Sequence, residues 1–423
     1  MSRLHKVPSK SHLVCSSRFF TTPKQPMLKG IRVVDMTRVL AGPFSTMNLS
    51  DLGADVIKIE KPCEGDETRA WGPPFISDSL SSYFACCNRN KKSVAIDYRN
   101  KKGHQLLKKL IKSSDVLVEN SRPATLRKYG LDYATLKECY PKLIYASLSG
   151  YGQTGPSAHR GAYDLSISAE AGLMGITGPE NGDPCKVGVA ITDLCTGLYV
   201  YSGVLAALYH REMNGEGQHI DVSLFASQVS LLANIGSNYL NNGIIAKPMG
   251  NAHPSIVPYQ SFRTSNGNVV ITASNDLQFH DLSEALGWPH LSSNPQFSTN
   301  SERVENREML IGHLAERFEE ETTEYWLNIS ESYSYGATRV NNMKGVFEHE
   351  QTKHLDLIKT VQHPVDNTTV RMVGHPVGYS NSGIEEPSAP PLLGQHTEEV
   401  LLGIGVSQSE IESLEREGVI QCC

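Results

Sequence analysis

The 423 residues hold no run of 18 uninterrupted apolar side chains, so no stretch reads as a membrane span. Nine cysteines stand at 15, 63, 86, 87, 139, 185, 195, 422 and 423, yet there is no C-x-x-C and no Cys/His spacing that suits zinc. No metal is expected, and the thiols read as reduced thiols of an intracellular protein. The first strand-to-helix turn, Val39-Leu-Ala-Gly-Pro-Phe44, lacks the G-x-G-x-x-G of a nicotinamide or flavin fold. A Walker A loop is also missing, and no permanently bound cofactor is expected. A net charge of −6 excludes a general nucleic-acid binder. Neither an internal repeat nor a low-complexity tract occurs, which excludes solenoids.

What is present is an ordinary globular composition, 39% hydrophobic and 20% charged, on a chain long enough for two domains. Residues 1–26 differ in kind: Arg3, Lys6, Lys10, Arg18 and Lys24 stand there without an acid. A basic, Ser-rich leader of this sort predicts a mitochondrial presequence cut near Arg18–Thr22, and hence a matrix location.

From Ile31 the pattern becomes that of an α/β fold. Ile31–Asp35 and Asp55–Glu60 are β-type runs flanking a helical stretch, Phe44–Leu52, with Pro43 in its first turn. Further runs at Ser93–Asp97, Asp115–Glu119 and Leu143–Leu148, with a helix over Lys101–Lys112, predict a mostly parallel sheet covered by helices. We place a large domain at 27–225, rejoined by 390–423, a linker and active-site loop at 226–255, and a smaller α+β domain at 256–389. The small domain should open with a hairpin about Asn266-Gly267 and continue with helices over 276–287, 301–319 and 322–330.

One stretch organises the rest. Val187-Gly-Val-Ala-Ile-Thr-Asp193 reads as a short buried strand, and the apolar positions from Leu194 to Met213 recur at helical spacing. Asp193 therefore stands where a helix begins, as a plain N-cap or as a carboxylate presented to a ligand.

Eight pieces in order resemble the class III CoA-transferases, a family that also contains the α-methylacyl-CoA racemases. They are Leu28–Asp35, Ala41–Phe44, Leu52–Glu60, Asn88–Ser93, Asp115–Asn120, Ser149–Gly152, Gly215–Asp221 and Ala389–Thr397. The resemblance implies a Rossmann-like large domain, a small domain and an interlocked homodimer. It implies that Asp193 carries the acyl group as a mixed anhydride and then CoA as a thioester, with Asp164 beside it. Coenzyme A contacts fall on Val39, Lys61, Ile96, Arg99, Asn120 and Lys128, and the coenzyme A thioester acts as co-substrate. With the leader, it points to succinyl-CoA and a dicarboxylic acid such as glutarate or 3-hydroxy-3-methylglutarate as small-molecule partners.

A dicarboxylate leaves one carboxylate in need of a cation, and Arg89 is the candidate because a guanidinium grips a carboxylate with two hydrogen bonds. His253, in the Gly/Pro-rich passage 247–258, is a second substrate candidate. Free amides at the start of the Asp193 helix are expected to face developing negative charge. Two rivals remain. Racemases pair the aspartate with a histidine thirty residues earlier, where this chain has Tyr163, a poor base at neutral pH. A catalytically inactive CoA-binding relative is the other, since Ser334–Asn341 lacks both prolines of the family's Gly-Val-Pro-x-Gly-Pro-Ile-Asn.

Overall fold

The computed structural model describes residues 25–78 and 80–423, so the expected presequence lies, but for Gln25 and Pro26, outside the described residues. The alternating apolar runs do form a parallel sheet: β1 Arg32–Met36, β2 Asp55–Glu60, β3 Lys91–Ile96, β4 Val116–Glu119, β5 Ile144–Ser149 and β6 His219–Ser223. Their order across the sheet is β3-β2-β1-β4-β5-β6, every neighbouring pair parallel. That is a doubly wound order, and it reverses between β1 and β4, where such folds open a crevice at the strands' carboxyl ends.

Successive side chains of each strand face opposite sides, and both sides are dry. Val34, Ile57, Val94 and Leu117 lie under the Lys101–Lys112 helix and two C-terminal helices, Thr397–Gly403 and Gln408–Arg416. Val33, Val56, Val116 and Ile144 lie under helices α1 Ala41–Asp51, α2 Asp164–Glu170 and α3 Ile191–Asn214. The chain's end returns to this sheet, Ile420–Gln421 pairing antiparallel with β3. By length and composition α3 is apolar enough to cross a membrane; here it packs on α1, β5 and β6. Gly197 permits that packing, since a Cβ there would stand 2.6 Å from the carbonyl oxygen of Ala41.

Residues 257–337 build a separate core on the antiparallel sheet Tyr259–Thr264, Gly267–Thr272 and Gly336–Arg339. Phe262, Ile271, Phe318 and Trp326 fill it. The hairpin forms one residue earlier than expected, with Thr264 opposite Gly267 and Ser265-Asn266 at the turn. The Asn266 side chain explains the slip, because it accepts the Thr323 N–H and donates to Glu324. The stretch 334–341, which lacks the family's prolines, supplies the edge strand Gly336–Arg339. Packing does not follow the expected 256–389 boundary: the ribbon of Ile358–Gln362 and Thr369–Val373 lays Val370 and Met372 on Leu80 and Phe84 of the large domain.

One expectation fails locally. Val187–Ala190 forms no strand; it is an irregular lead-in with Val189 exposed, and its β-branched residues find no sheet edge to pair with. Within 226–255 the chain is helical to Asn242, as Leu224–Ser230 and Ala233–Asn242.

Candidate active site

Asp193 is the third residue of α3 rather than its cap. Its side chain is buried, and among the described residues no protein donor reaches it. Asp164, the first residue of α2, does the capping across the gap: its Oδ1 accepts the N–H of Thr192 at 2.9 Å and of Asp193 at 3.2 Å. The N–H of Ile191 goes to Val189 O and that of Leu194 to Ala190 O. The free amides expected at this helix start are therefore all taken, a correction that follows from a helix's need to satisfy its first donors.

Burial first, and the Asp164 charge second, push the Asp193 carboxyl up to about 7. A carboxyl in that range exchanges its proton near neutrality, as functional carboxyls in apolar clefts do. Ala190 and Leu194, either side of it in sequence, pack with Val39, Phe44 and Tyr83 on the apolar cluster of Leu40, Met47 and Cys87. Tyr83 stands in the field of Asp193; burial, then that charge, push its phenol up to about 12. Sequence reasoning missed Tyr83, since a lone tyrosine in the one-turn helix Ser82–Ala85 carries no periodic or motif signal.

Beside this cleft runs the carboxyl edge of the sheet. Val39 follows β1, Lys61 follows β2, Arg99 follows β3 and Asn120 follows β4, so the topology brings these four expected contacts to one rim at the reversal of strand order. Asn120 donates to Arg38 O and accepts the Arg38 N–H, stapling the turn after β1. Val39 sits in that turn at φ +72°, a conformation costing a β-branched residue roughly 1–3 kcal/mol. Lys61 is paired with Glu64 at the surface, and Arg99 and Lys128 are exposed.

Three expected site residues lie elsewhere. Ile96 is buried in the sheet's core and presents no side chain to a ligand. Arg89 is buried and grips Asp51 through Nε and Nη2 while Nη1 donates to Val373 O, so it ties the ribbon to the large domain. A guanidinium so placed is a structural ion pair, and a cation for the substrate must be sought elsewhere. His253 is also structural: its Nδ1 accepts the Ser255 N–H, its N–H goes to Tyr259 O, and its carbonyl accepts from Arg307.

Beneath the rim lies a buried charge lattice. Lys91 Nζ bonds Asp35 Oδ2, Pro43 O and Asn88 Oδ1; Lys58 Nζ bonds Asp66 Oδ2 and Thr37 O. Although burial opposes it, the lysines and the hydroxyls of Thr37 and Thr46 hold the Asp35 carboxyl down to about 2. Each ammonium thus fixes a backbone carbonyl of the 37–43 turn.

A family model described as CoA-transferase family III matches residues 28–397. The chain belongs to that family. It is an enzyme acting as a CoA-transferase, with a CoA thioester as co-substrate. A protein from Homo sapiens named succinyl-CoA:glutarate CoA-transferase is 48% identical over 374 residues, covering 88% of this chain and 85% of that protein. The succinate–glutarate CoA-transferase of Agrobacterium fabrum is 37% identical, covering 93% of this chain and 98% of that one. A solved structure of a CaiB/BaiF family protein from Brucella suis, 40% identical, superposes with a TM-score of 0.80 over 90% of this chain and 100% of that chain. Within the family the racemase chemistry has no support from Tyr163, which is 69% exposed.

Proposed function

We propose that this transferase moves CoA from succinyl-CoA to a short dicarboxylic acid, glutarate or 3-hydroxy-3-methylglutarate, with Asp193 as the acyl carrier. The observation that carries this reading is a buried carboxyl, raised to about 7, that no protein donor among the described residues reaches, at the head of a helix beside the crevice of a doubly wound sheet. The names of the similar human and Agrobacterium proteins support the two substrates.

The ionised Asp193 attacks the thioester carbonyl of succinyl-CoA and expels the CoA thiolate, giving a mixed anhydride. The thiolate then attacks the aspartyl carbonyl, succinate leaves, and an aspartyl-CoA thioester remains. The acceptor carboxylate attacks that carbonyl and expels the thiolate, giving a second anhydride. Attack of the thiolate on the acceptor's acyl carbonyl releases the new acyl-CoA and restores Asp193. An activated acyl bond persists throughout, so no nucleotide is consumed. The apolar wall of Val39, Leu40, Phe44, Tyr83 and Leu194 keeps water from these intermediates. Coenzyme A lies along the rim of Val39, Lys61, Arg99 and Asn120, with Lys128 as a further contact, Lys and Arg suiting its phosphates.

The protein works in mitochondria, as the basic leader supports, and as an interlocked homodimer. Exposed apolar side chains at Leu198, Tyr199, Tyr239, Leu240 and Ile245 support a partner copy. Incubation with succinyl-CoA and glutarate should yield glutaryl-CoA by mass spectrometry, and Asp193→Ala should yield none. Full activity in Asp193→Ala would refute the assignment.

A further inference from the structure

The Arg38–Val39 turn is held by side chains from three other elements. Asn120 takes both the N–H and the carbonyl of Arg38, at 3.1 and 2.8 Å. Asp66 accepts the Val39 N–H, 3.2 Å from each carboxylate oxygen. Cys87 Sγ lies 3.6 Å from Val39 O. A β-branched residue stays left-handed only where its surroundings over-determine it, and such outliers gather at functional sites.

Asp66 is itself over-determined. Its carboxylate accepts from Lys58 Nζ at 2.9 Å and from the Thr68 N–H and hydroxyl at 3.0 and 2.8 Å, and its own N–H goes to Glu60. Lys58 reaches past it to Thr37 O at 2.8 Å, so one buried ion pair grips the turn on both sides of Arg38. The side chain this clamp aims is that of Val39, which packs on the cluster of Leu40, Met47 and Cys87 together with Ala190 and Leu194 from the Asp193 helix start and Tyr83, which stands in the field of Asp193.

We propose that Asp66 and Asn120 are positioning residues for the transferase reaction: by holding Val39 in its left-handed conformation they keep the apolar wall closed over Asp193 and water out of the cleft. This rests on Asp193 as the acyl carrier, and it adds a control on how dry that carrier is. Neither residue touches the reacting atoms. Each acts through the backbone of the 38–39 turn.

Two double variants separate positioning from mere stability. Lys58→Met with Asp66→Asn removes the ion pair but leaves an oxygen to accept the Val39 N–H; Lys58→Met with Asp66→Leu removes the ion pair and the acceptor together. Both replace a buried pair by neutral groups of similar size, a change that folded proteins commonly tolerate. The first should keep kcat within about threefold of the parent and leave the pH profile of kcat/KM where it is, its acid limb near 7. The second should lose at least tenfold in kcat, and its acid limb should move toward lower pH as water reaches Asp193.

Equal kcat and equal pH profiles in the two double variants would overturn the proposal. Asn120→Ala, half-exposed and outside the ion pair, provides the check if the double variants do not fold: it should move the acid limb in the same direction, and an unmoved limb in a folded, active Asn120→Ala enzyme would overturn the proposal equally. Failure of the carrier assignment looks different, since it leaves Asp193→Ala active whatever happens at Asp66.

Discussion

Replacing Asp193 by asparagine should make the protein more stable while abolishing transfer. Burial and the neighbouring Asp164 charge raise its carboxyl from an ordinary 3.8 to about 7. Between those two values the native state holds a proton that the unfolded chain has released, so stability falls as pH rises through the window. At about 1.4 kcal/mol for each pH unit, the native state carries a deficit of about 4 kcal/mol once the pH exceeds 7. The Asp193 carboxylate accepts no protein hydrogen bond among the described residues, so an amide of the same shape gives up nothing else. The assay is guanidinium unfolding of parent and Asp193→Asn at pH 4, 6 and 8. The difference should be small at pH 4 and should favour the variant increasingly at pH 6 and 8, up to about 4 kcal/mol. Equal stabilities at pH 8, or a less stable variant, would mean that something in the protein stabilises the carboxylate, and the case for a destabilised, poised nucleophile would fall.

Asp164→Asn retains an oxygen for the Thr192 and Asp193 N–H groups but removes a charge, so the acid limb of kcat/KM should shift to lower pH; an unshifted profile would leave burial as the sole cause. Asp164→Ala strands those two donors and should cost about 1 kcal/mol in urea unfolding on top of any catalytic loss. Arg89→Leu leaves Asp51 buried and short of its bidentate partner and should destabilise by about 3–5 kcal/mol in urea unfolding, with KM for the dicarboxylate unchanged in whatever remains folded. A raised KM with unaltered stability would restore Arg89 to the substrate. Gly197→Ala drives a methyl against the Ala41 carbonyl at 2.6 Å and should cost about 1–3 kcal/mol by thermal unfolding, together with activity, because α1 and α3 carry the two walls of the cleft.

The sheet was legible because buried parallel strands are short apolar runs, and Val33-Val34, Val56-Ile57 and Val116–Val118 need no partner information to be recognised. Asp193 at a helix start was legible for a similar reason, the apolar positions that recur at helical spacing from Leu194. The strand read into Val187–Ile191 failed because β-branched composition says nothing about whether a sheet edge is open to it. Arg89 failed because a charge read in isolation has no partner, and Asp51 is 38 residues away in sequence. Lys58 carried a signal that went unread: a lysine inside Val56-Ile-Lys-Ile-Glu60, at a buried ladder position, must have a counter-ion in the fold. Tyr83 and Asp66 carried none, since their roles depend on which loops the crevice brings together.

Two carboxyls thus share one helix start with opposite fates. Asp164 takes the backbone donors of α3, and the same choice leaves Asp193, one residue beyond Thr192, with no donor among the described residues to stabilise its charge. An environment that divides a pair of acids in this way favours Asp193 as the proposed acyl carrier, because only the unsatisfied one gains by giving its charge up to a carbonyl carbon. In the lattice of Lys58, Lys91, Asp35 and Asp66, by contrast, every charge is paired. A fold that satisfied Asp193 as well as it satisfies Asp35 would be more stable, and its carboxylate would be a poorer nucleophile.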